Sequence, residues 1–506
     1  MAAVLTFSAA AAVPLALLLA MCWTSASLTY VLVAITSCLA LYWAAEVVRY
    51  RRMRGNLPGP GWTTPFGIGA LVTMVLRPVE FWTQQAEYSR NGFSVNAMLG
   101  RFMVFVTDGS LCNHVFGNLQ DYVLFAHPNA RFLFGAENLI YMEQDEHKRF
   151  RNLLMPGVYS KAALACYLEC QEKACHSHLQ KLVGKGEVDA RLMLRLMNAE
   201  ASQESFVGPY LTPDQKKQIT EDILTFTLGF LSFPIAFPGS GLWKAIRARE
   251  TIRTLLTPIA AESKQIMEND AMPAQCVMDF WAKEVVSRRT DGEEDAVSNP
   301  DMASTVLDFF FASQDATTSA VVWALHLLTK DQQGERVLEN MRQAVGAFLP
   351  ASERPPMCEV VAPGTYIHTC ALECLRARPP VPMVPHLTKH EVVLDGKLKV
   401  PAGSMVIPSI SIAAEHEPYA GVFNPDDGGG AKDGQFNSTL VFGAGQHKCP
   451  GRMYAVQLLA VFMAVLARDF TVKRRLTAQS HNAIYLPTLV PADNWYVFDS
   501  VSREKN

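Results

Sequence analysis

The residues with the clearest chemical potential stand in Phe442-Gly443-Ala444-Gly445-Gln446-His447-Lys448-Cys449-Pro450-Gly451, a glycine-punctuated turn leading into an apolar stretch. Gly443, Gly445 and Gly451 permit backbone geometry that a Cβ obstructs, and Met453, Val456, Leu459, Ala460 and Met463 recur at helical spacing. The turn therefore brings Cys449 close to a helix N-terminus, between Lys448 and Arg452. Unpaired helix amides and positive charge both favour a thiolate, which is a metal ligand. For an isolated thiol the alternative is a small buried hydrophobe.

Three further groups carry chemistry. Leu307–Thr318 sets Phe309, Phe310 and Phe311 among small and hydroxylated residues. Ser and Thr bonds to the preceding turn loosen a helix and make room for small ligands, and Asp315 and Thr317 would relay protons there. An ordinary core helix with one solvated acid, its aromatics plain core, is the competing reading. Glu373 and Arg376 are spaced to pair on one helical face. In solvent such a pair contributes under about 1 kcal/mol, whereas breaking a buried one costs about 3–5 kcal/mol. His147 and Arg151 also share a helical face and suit an anionic carboxylate, with a solvated basic face as the alternative. His447 reads equally as a further contact to that anion or as an exposed cap.

These residues must be positioned by a large core. The chain has 506 residues, 49% hydrophobic and 18% charged, with a net charge of −3 that gives no global electrostatic case for nucleic acid. Eleven cysteines show no paired framework, which points to a reducing compartment. The periodicity predicts helices over 160–183, 213–232, 241–268, 302–330, 334–348 and 366–377, and strands over 102–107, 391–399, 403–408, 469–473 and 495–498. The stretches 287–301 and 426–434 read as loops.

Residues 2–24 and 28–48 are apolar, the second ending in Arg49-Tyr50-Arg51-Arg52-Met53-Arg54. Such a stretch can span a bilayer with its basic end in the cytosol. Residues 2–24 read as a second span or as a cleaved targeting segment. Leu57-Pro58-Gly59-Pro60-Gly61 cannot continue a helix and stiffens the exit. The organisation expected is an anchor region over 1–54, a proline-rich hinge over 55–61 and one mainly α domain with small β-sheets over 62–506.

The loop at 442–451 resembles the haem-binding loop of the cytochrome P450 family, Phe-x-x-Gly-x-(Arg/His)-x-Cys-x-Gly, at every specified position. The resemblance implies the cytochrome P450 fold and a haem b cofactor (iron protoporphyrin IX) with Cys449 as the proximal iron ligand. It implies that Phe442, Gly443 and His447 line that cofactor, that His147 and Arg151 hold a propionate, and that Glu373 and Arg376 form the family's buried clamp. The arginine usually found in a later Pro-x-Arg-Phe segment is missing, since Phe423-Asn424-Pro425-Asp426-Asp427 stands there. The distal helix resembles the family's oxygen-binding segment but places Ser313 at the usual glycine and Ala316 at the usual threonine. The proton-delivery hydroxyl then comes from Thr317 or from water.

Phe311-Ala312-Ser313-Gln314-Asp315-Ala316, Asn138-Leu139-Ile140-Tyr141-Met142, Phe206-Val207-Gly208-Pro209-Tyr210-Leu211 and Met383-Val384-Pro385-His386 are similar to the sterol C-22 desaturase branch. That resemblance implies a C-22(23) desaturase of sterol side chains in sterol biosynthesis, using O2 and electrons from NADPH delivered by a separate cytochrome P450 reductase. It implies an endoplasmic reticulum membrane location, single-pass or hairpin, with the catalytic domain cytosolic. Val384 and Pro385, with Phe309, Phe310 and the loop carrying Leu124, Phe125 and His127, are candidates for the sterol pocket. Another sterol or lipid monooxygenase, such as a hydroxylase or 14α-demethylase, is an alternative, as is a reductase-independent haem-thiolate isomerase or dehydratase.

Overall fold

The computed structural model describes residues 25–89, 91–98, 100–124, 129–135, 138–142, 144–289, 296–346, 356–394, 396, 398–410, 422–426, 439–480, 482–485 and 488–501. The apolar stretch 2–24, Phe125 and His127, and residues 427–434 of the 426–434 loop lie outside the described residues.

Helix α1 (Ser25–Arg54) contains, over Thr29–Arg54, the one described segment long and apolar enough to cross a membrane, with mean hydropathy 2.0 and only 6% burial. Its last turn carries Arg51, Arg52 and Arg54, a basic end after the apolar run. The hinge is more than a spacer, because α1 folds against it. Trp43 Nε1 donates to Thr63 O at 2.9 Å, the Tyr50 hydroxyl donates to Pro60 O at 3.0 Å, and Arg51 Nε donates to Gly61 O at 3.1 Å. Pro58 O accepts from Val95 N–H, which joins the hinge to the first strand.

The main sheet has the order β1-β2-β5-β4-β3, with β1 (Phe93–Met98), β2 (Arg101–Val106), β3 (Tyr122–Val123), β4 (His386–Thr388) and β5 (Met405–Pro408). β1 and β2 form a hairpin with Val95 opposite Val104, and β2 runs parallel to β5. β1 was not among the expected strands although Phe93, Val95 and Ala97 alternate with Ser94 and Asn96; the structure buries both sets. The strand expected over 391–399 is two, Val392–Leu394 and Leu398–Val400, because the chain reverses around Gly396 at φ 65.

Helices α2 (Gly109–Gly117), α3 (Gln144–Val158), α4 (Lys161–Gln180), α5 (Ala190–Phe206), α6 (Pro213–Leu231), α7 (Gly241–Glu268), α8 (Asn299–Thr329), α9 (Gln332–Gly346), α10 (Tyr366–Ala377) and α11 (Arg452–Asp469) are the helices that frame the candidate site. The expected helical spans are present among the described residues, 347–348 of the 334–348 span lying outside them, with ends set by local chemistry. Ser298 accepts from Asp301 N–H and Pro300 occupies the first turn of α8, so that helix starts ahead of its apolar pattern. Thr365 caps α10 through His368 N–H. From Leu458 to Ala467 every side chain of α11 is buried, which only a central helix surrounded by protein can achieve. α11 packs on α4, α9 and α10, so the chain after Cys449 is held by the core.

Candidate functional site

The turn before α11 is built by its backbone. Cys449 N–H donates to Phe442 O at 2.9 Å and Lys448 N–H to Gly445 O at 3.2 Å, closing the loop around its glycines. Gly443 and Gly445 have φ of 67 and 68, and a Cβ on Gly445 would fall 2.5 Å from Phe116 O of α2. A side chain is therefore excluded by both conformation and space at Gly445, and by conformation alone at Gly443. The Cys449 side chain has exposed surface, yet desolvation by surrounding protein raises its thiol above the ordinary range. The two observations agree if the sulfur borders an internal recess rather than bulk solvent. The charge environment differs from the sequence expectation: opposing that rise are the Gly451 N–H and the Arg151 guanidinium, not Lys448 or Arg452.

Arg151 ties α3 to this loop. Its Nη1 donates to Gln446 O at 3.0 Å and Lys448 O at 2.7 Å. One turn earlier, His147 is buried and stacks on His447, ring centroids 3.8 Å apart at 22°. Burial, reinforced by neighbouring positive charge, lowers both imidazoles to about 4, so they are neutral at physiological pH. The expected basic pair is thus one cation and one neutral donor, and His447 is a stacking partner rather than an exposed cap. His147 Nδ1 is buried with no hydrogen-bond partner. His386, quoted in the sequence only as part of a motif, is buried against Phe116 and Tyr122 and senses His447. Its Nδ1 donates to Val384 O at 2.8 Å. Arg151→Met removes two charge-assisted bonds, each contributing about 1.5–3 kcal/mol. The expected result is a lower haem-to-protein ratio in purified protein, with the helical signal retained.

Glu373 and Arg376 form the buried pair, 0% and 1% exposed, in a two-bonded fork with Nε–Oε2 and Nη2–Oε1 both at 2.8 Å. Where the sequence lacks the usual arginine, the backbone contributes: Arg376 Nη2 donates to Val422 O at 2.7 Å, and Asn424 N–H donates to Glu373 Oε1 at 3.1 Å. α10 is joined to α8 by the Cys374 thiol donating to Ala320 O at 3.9 Å.

α8 remains continuous through Ser313–Thr318. Its carbonyls there are met from α5, where Asn198 Nδ2 donates to Ser313 O at 2.7 Å, to Gln314 O at 2.9 Å and to the Thr318 hydroxyl at 3.3 Å. No sequence spacing relates Asn198 to those carbonyls. In the otherwise buried middle of α8, Ala312 is exposed and Asp308, Phe309, Phe311, Asp315 and Ala316 are half-buried. Asp308, Ala312 and Ala316 share a helical face, so this is the accessible side of the helix. Phe310 and Thr317 are turned away from it. Phe310, expected in the substrate pocket, is fully buried against Phe206, and Thr317 is 4% exposed. Phe309 stays at the accessible edge with Val384 and Pro385 also half-buried. Asp315 Oδ1 pairs with Arg195 at 3.2 Å, while its buried Oδ2 has no partner. Burial raises its carboxyl, opposed by Arg195 and Arg191.

These residues fit a haem. One thiol borders an internal recess, the turn holding it closes so tightly on Phe116 at Gly445 that no side chain fits there, and an orphaned imidazole nitrogen lies beside an arginine. Among the described residues no three His, Cys, Asp or Glu side chains converge on a bare metal ion, whereas a haem iron needs only one ligand from this side.

The comparisons with known proteins agree. A family model described as Cytochrome P450 matches residues 64–487. Cytochrome P450 710A3 of Arabidopsis thaliana is 33% identical over 489 residues, covering 94% of this chain and 97% of the relative. The C-22 sterol desaturase ERG5A of Gibberella zeae is 27% identical over 500 residues, covering 92% of this chain and 90% of the relative. A retinoic acid-bound cyanobacterial CYP120A1 structure superposes with a TM-score of 0.72 at 20% identity, over 88% of this chain and 99% of that one. The matched span holds the Cys449 loop, the Glu373–Arg376 pair and the accessible face of α8, and the chain belongs to the cytochrome P450 family.

Proposed function

We propose that this protein introduces the C-22(23) double bond into a sterol side chain, as a membrane-anchored enzyme of the endoplasmic reticulum with residues 1–54 as anchor region, 55–61 as hinge and the domain over 62–506 in the cytosol. In the overall reaction two hydrogens leave adjacent carbons, O2 is reduced to two waters, and NADPH supplies two electrons through a separate reductase. The observation that carries the reading is the accessible face of α8, where Ala316 puts no hydroxyl, in a chain with C-22 sterol desaturases among its relatives.

Haem, when bound, supplies activation of O2 and removal of hydrogen from an unactivated carbon. Cys449 would be its ligand, and Arg151 and His147 would face its propionates while Arg151 also holds the loop. Asp315 would carry a proton at Oδ2, with Arg195 fixing its other oxygen. Val384, Pro385 and Phe309 would hold the two adjacent carbons in place, because desaturation fails if only one reaches the reacting position. Lys448 and Arg452 would lie on the face met by the reductase.

Incubation of purified protein with reductase, NADPH and a C-22-saturated sterol is expected to give an olefin by mass spectrometry. A purely hydroxylated product would support a sterol hydroxylase instead. Ala316→Thr, which restores a hydroxyl to the accessible face, is expected to raise the alcohol-to-olefin ratio several-fold. An unchanged ratio would remove Ala316 from the explanation.

A further inference from the structure

The accessible face of α8 carries a carboxyl group that the mechanism above does not use. Asp308 lies two turns before Ala316 on that face, roughly 12 Å along the axis at about 1.5 Å per residue. Asn138 Nδ2 donates to its Oδ2, and Asn138 Oδ1 accepts from Ile140 N–H at 3.0 Å, which fixes the amide's orientation. The Tyr141 hydroxyl, on which the Asp308 charge acts, is buried and without a hydrogen-bond partner among the described residues. A half-buried acid and an orphaned phenol beside an apolar face of Phe309, Ala312 and Ala316 are costly arrangements unless a polar group meets them.

We propose that Asp308, oriented by Asn138 and accompanied by Tyr141, hydrogen-bonds a hydroxyl at one end of an apolar substrate, and so determines which carbons reach the other end of the α8 face. The proposal rests on the sterol reading above, a sterol being a rigid apolar alcohol of this length scale.

The nearby charges favour a neutral partner over an ammonium. Arg249 of α7 acts on Asp308, while its guanidinium is bonded to Glu250 Oε1 at 3.1 Å and Phe134 O at 3.2 Å. Arg131 lies over the Tyr141 ring, 5.5 Å from its centroid. A cationic ligand would meet both arginines, whereas a hydroxyl meets neither as a like charge. Burial pushes the Asp308 carboxyl up to about 7, so near neutral pH it both donates and accepts, matching a hydroxyl's own dual character.

The test is a titration of the haem-loaded full-length protein, read by the Soret shift on ligand binding, with a 3-hydroxysterol and its 3-deoxy analogue. The wild type is expected to bind the hydroxysterol about 10-fold more tightly, the scale of one net hydrogen bond to a buried polar group. Asp308→Ala is expected to bind both compounds alike, at the wild-type affinity for the deoxy compound. If Asp308→Ala does not accumulate as haem-loaded protein, the wild-type pair of titrations decides alone. Equal wild-type affinities, or discrimination retained by Asp308→Ala, overturn the anchor while leaving the sterol reading in place. Tighter binding of a 3-amino analogue than of the hydroxysterol overturns the hydroxyl assignment. No binding of either sterol, with the thiolate-type Soret band intact, overturns the sterol reading and the anchor with it.

Discussion

Cys449→Ala is expected to yield folded protein that has lost the red-shifted Soret band of the reduced carbon monoxide complex. The sulfur is the only group the loop presents to the recess as a thiolate, and that band reports thiolate ligation. Folding should survive, because the Cys449 side chain already has exposed surface and truncation opens little new cavity. The supports of the loop are the Phe442 carbonyl, the Arg151 fork and α11, none of which involves Sγ. Circular dichroism and the unfolding midpoint should therefore match those of the wild-type protein prepared without haem. A mutant that keeps the shifted band would show that another residue ligates the iron.

Glu373→Ala is expected to cost about 3–5 kcal/mol, because it strands a guanidinium that is 1% exposed. It also removes the acceptor of Asn424 N–H, while the Arg376 bond to Val422 O remains. Against a total stability of about 5–15 kcal/mol such a loss leaves little folded protein, so haem content should collapse with it. Replacing both members, as Glu373→Gln with Arg376→Met, should cost less than the sum of the single changes, since no charge is then left unpaired. Urea unfolding of the two singles and the double measures this coupling. A loss below about 1 kcal/mol for Glu373→Ala would mean that the pair behaves like a solvated one despite its burial.

The helical spans were legible because apolar side chains recurring at helical spacing must face a core, and their caps lie in adjacent residues. α8 and α10 began near where their patterns began, with Ser298 and Thr365 as caps. β1 carries a strand's alternation in Phe93, Val95 and Ala97, but that Ser94 and Asn96 are buried as well is nowhere announced by it. The backbone contacts at Val422 and Asn424 that complete the clamp have no side-chain signature, which is why the sequence shows only that its usual third member, an arginine, is missing.

From the sequence alone came the candidate ligand, the clamp pair, the apolar span and the acid-bearing helix, because each is a local pattern: a cysteine between glycines, two charges three residues apart, an apolar run, an acid among aromatics. Only the tertiary structure decided orientation and protonation. It turned Phe310 and Thr317 away from the accessible face, made His147 and His447 a neutral stacked pair, and set Asp308 and Tyr141 beside one another from segments far apart in the chain. The reason is physical: a side chain's type is written in its own residue, but its solvation and its neighbours' charges are set by what the rest of the chain packs against it.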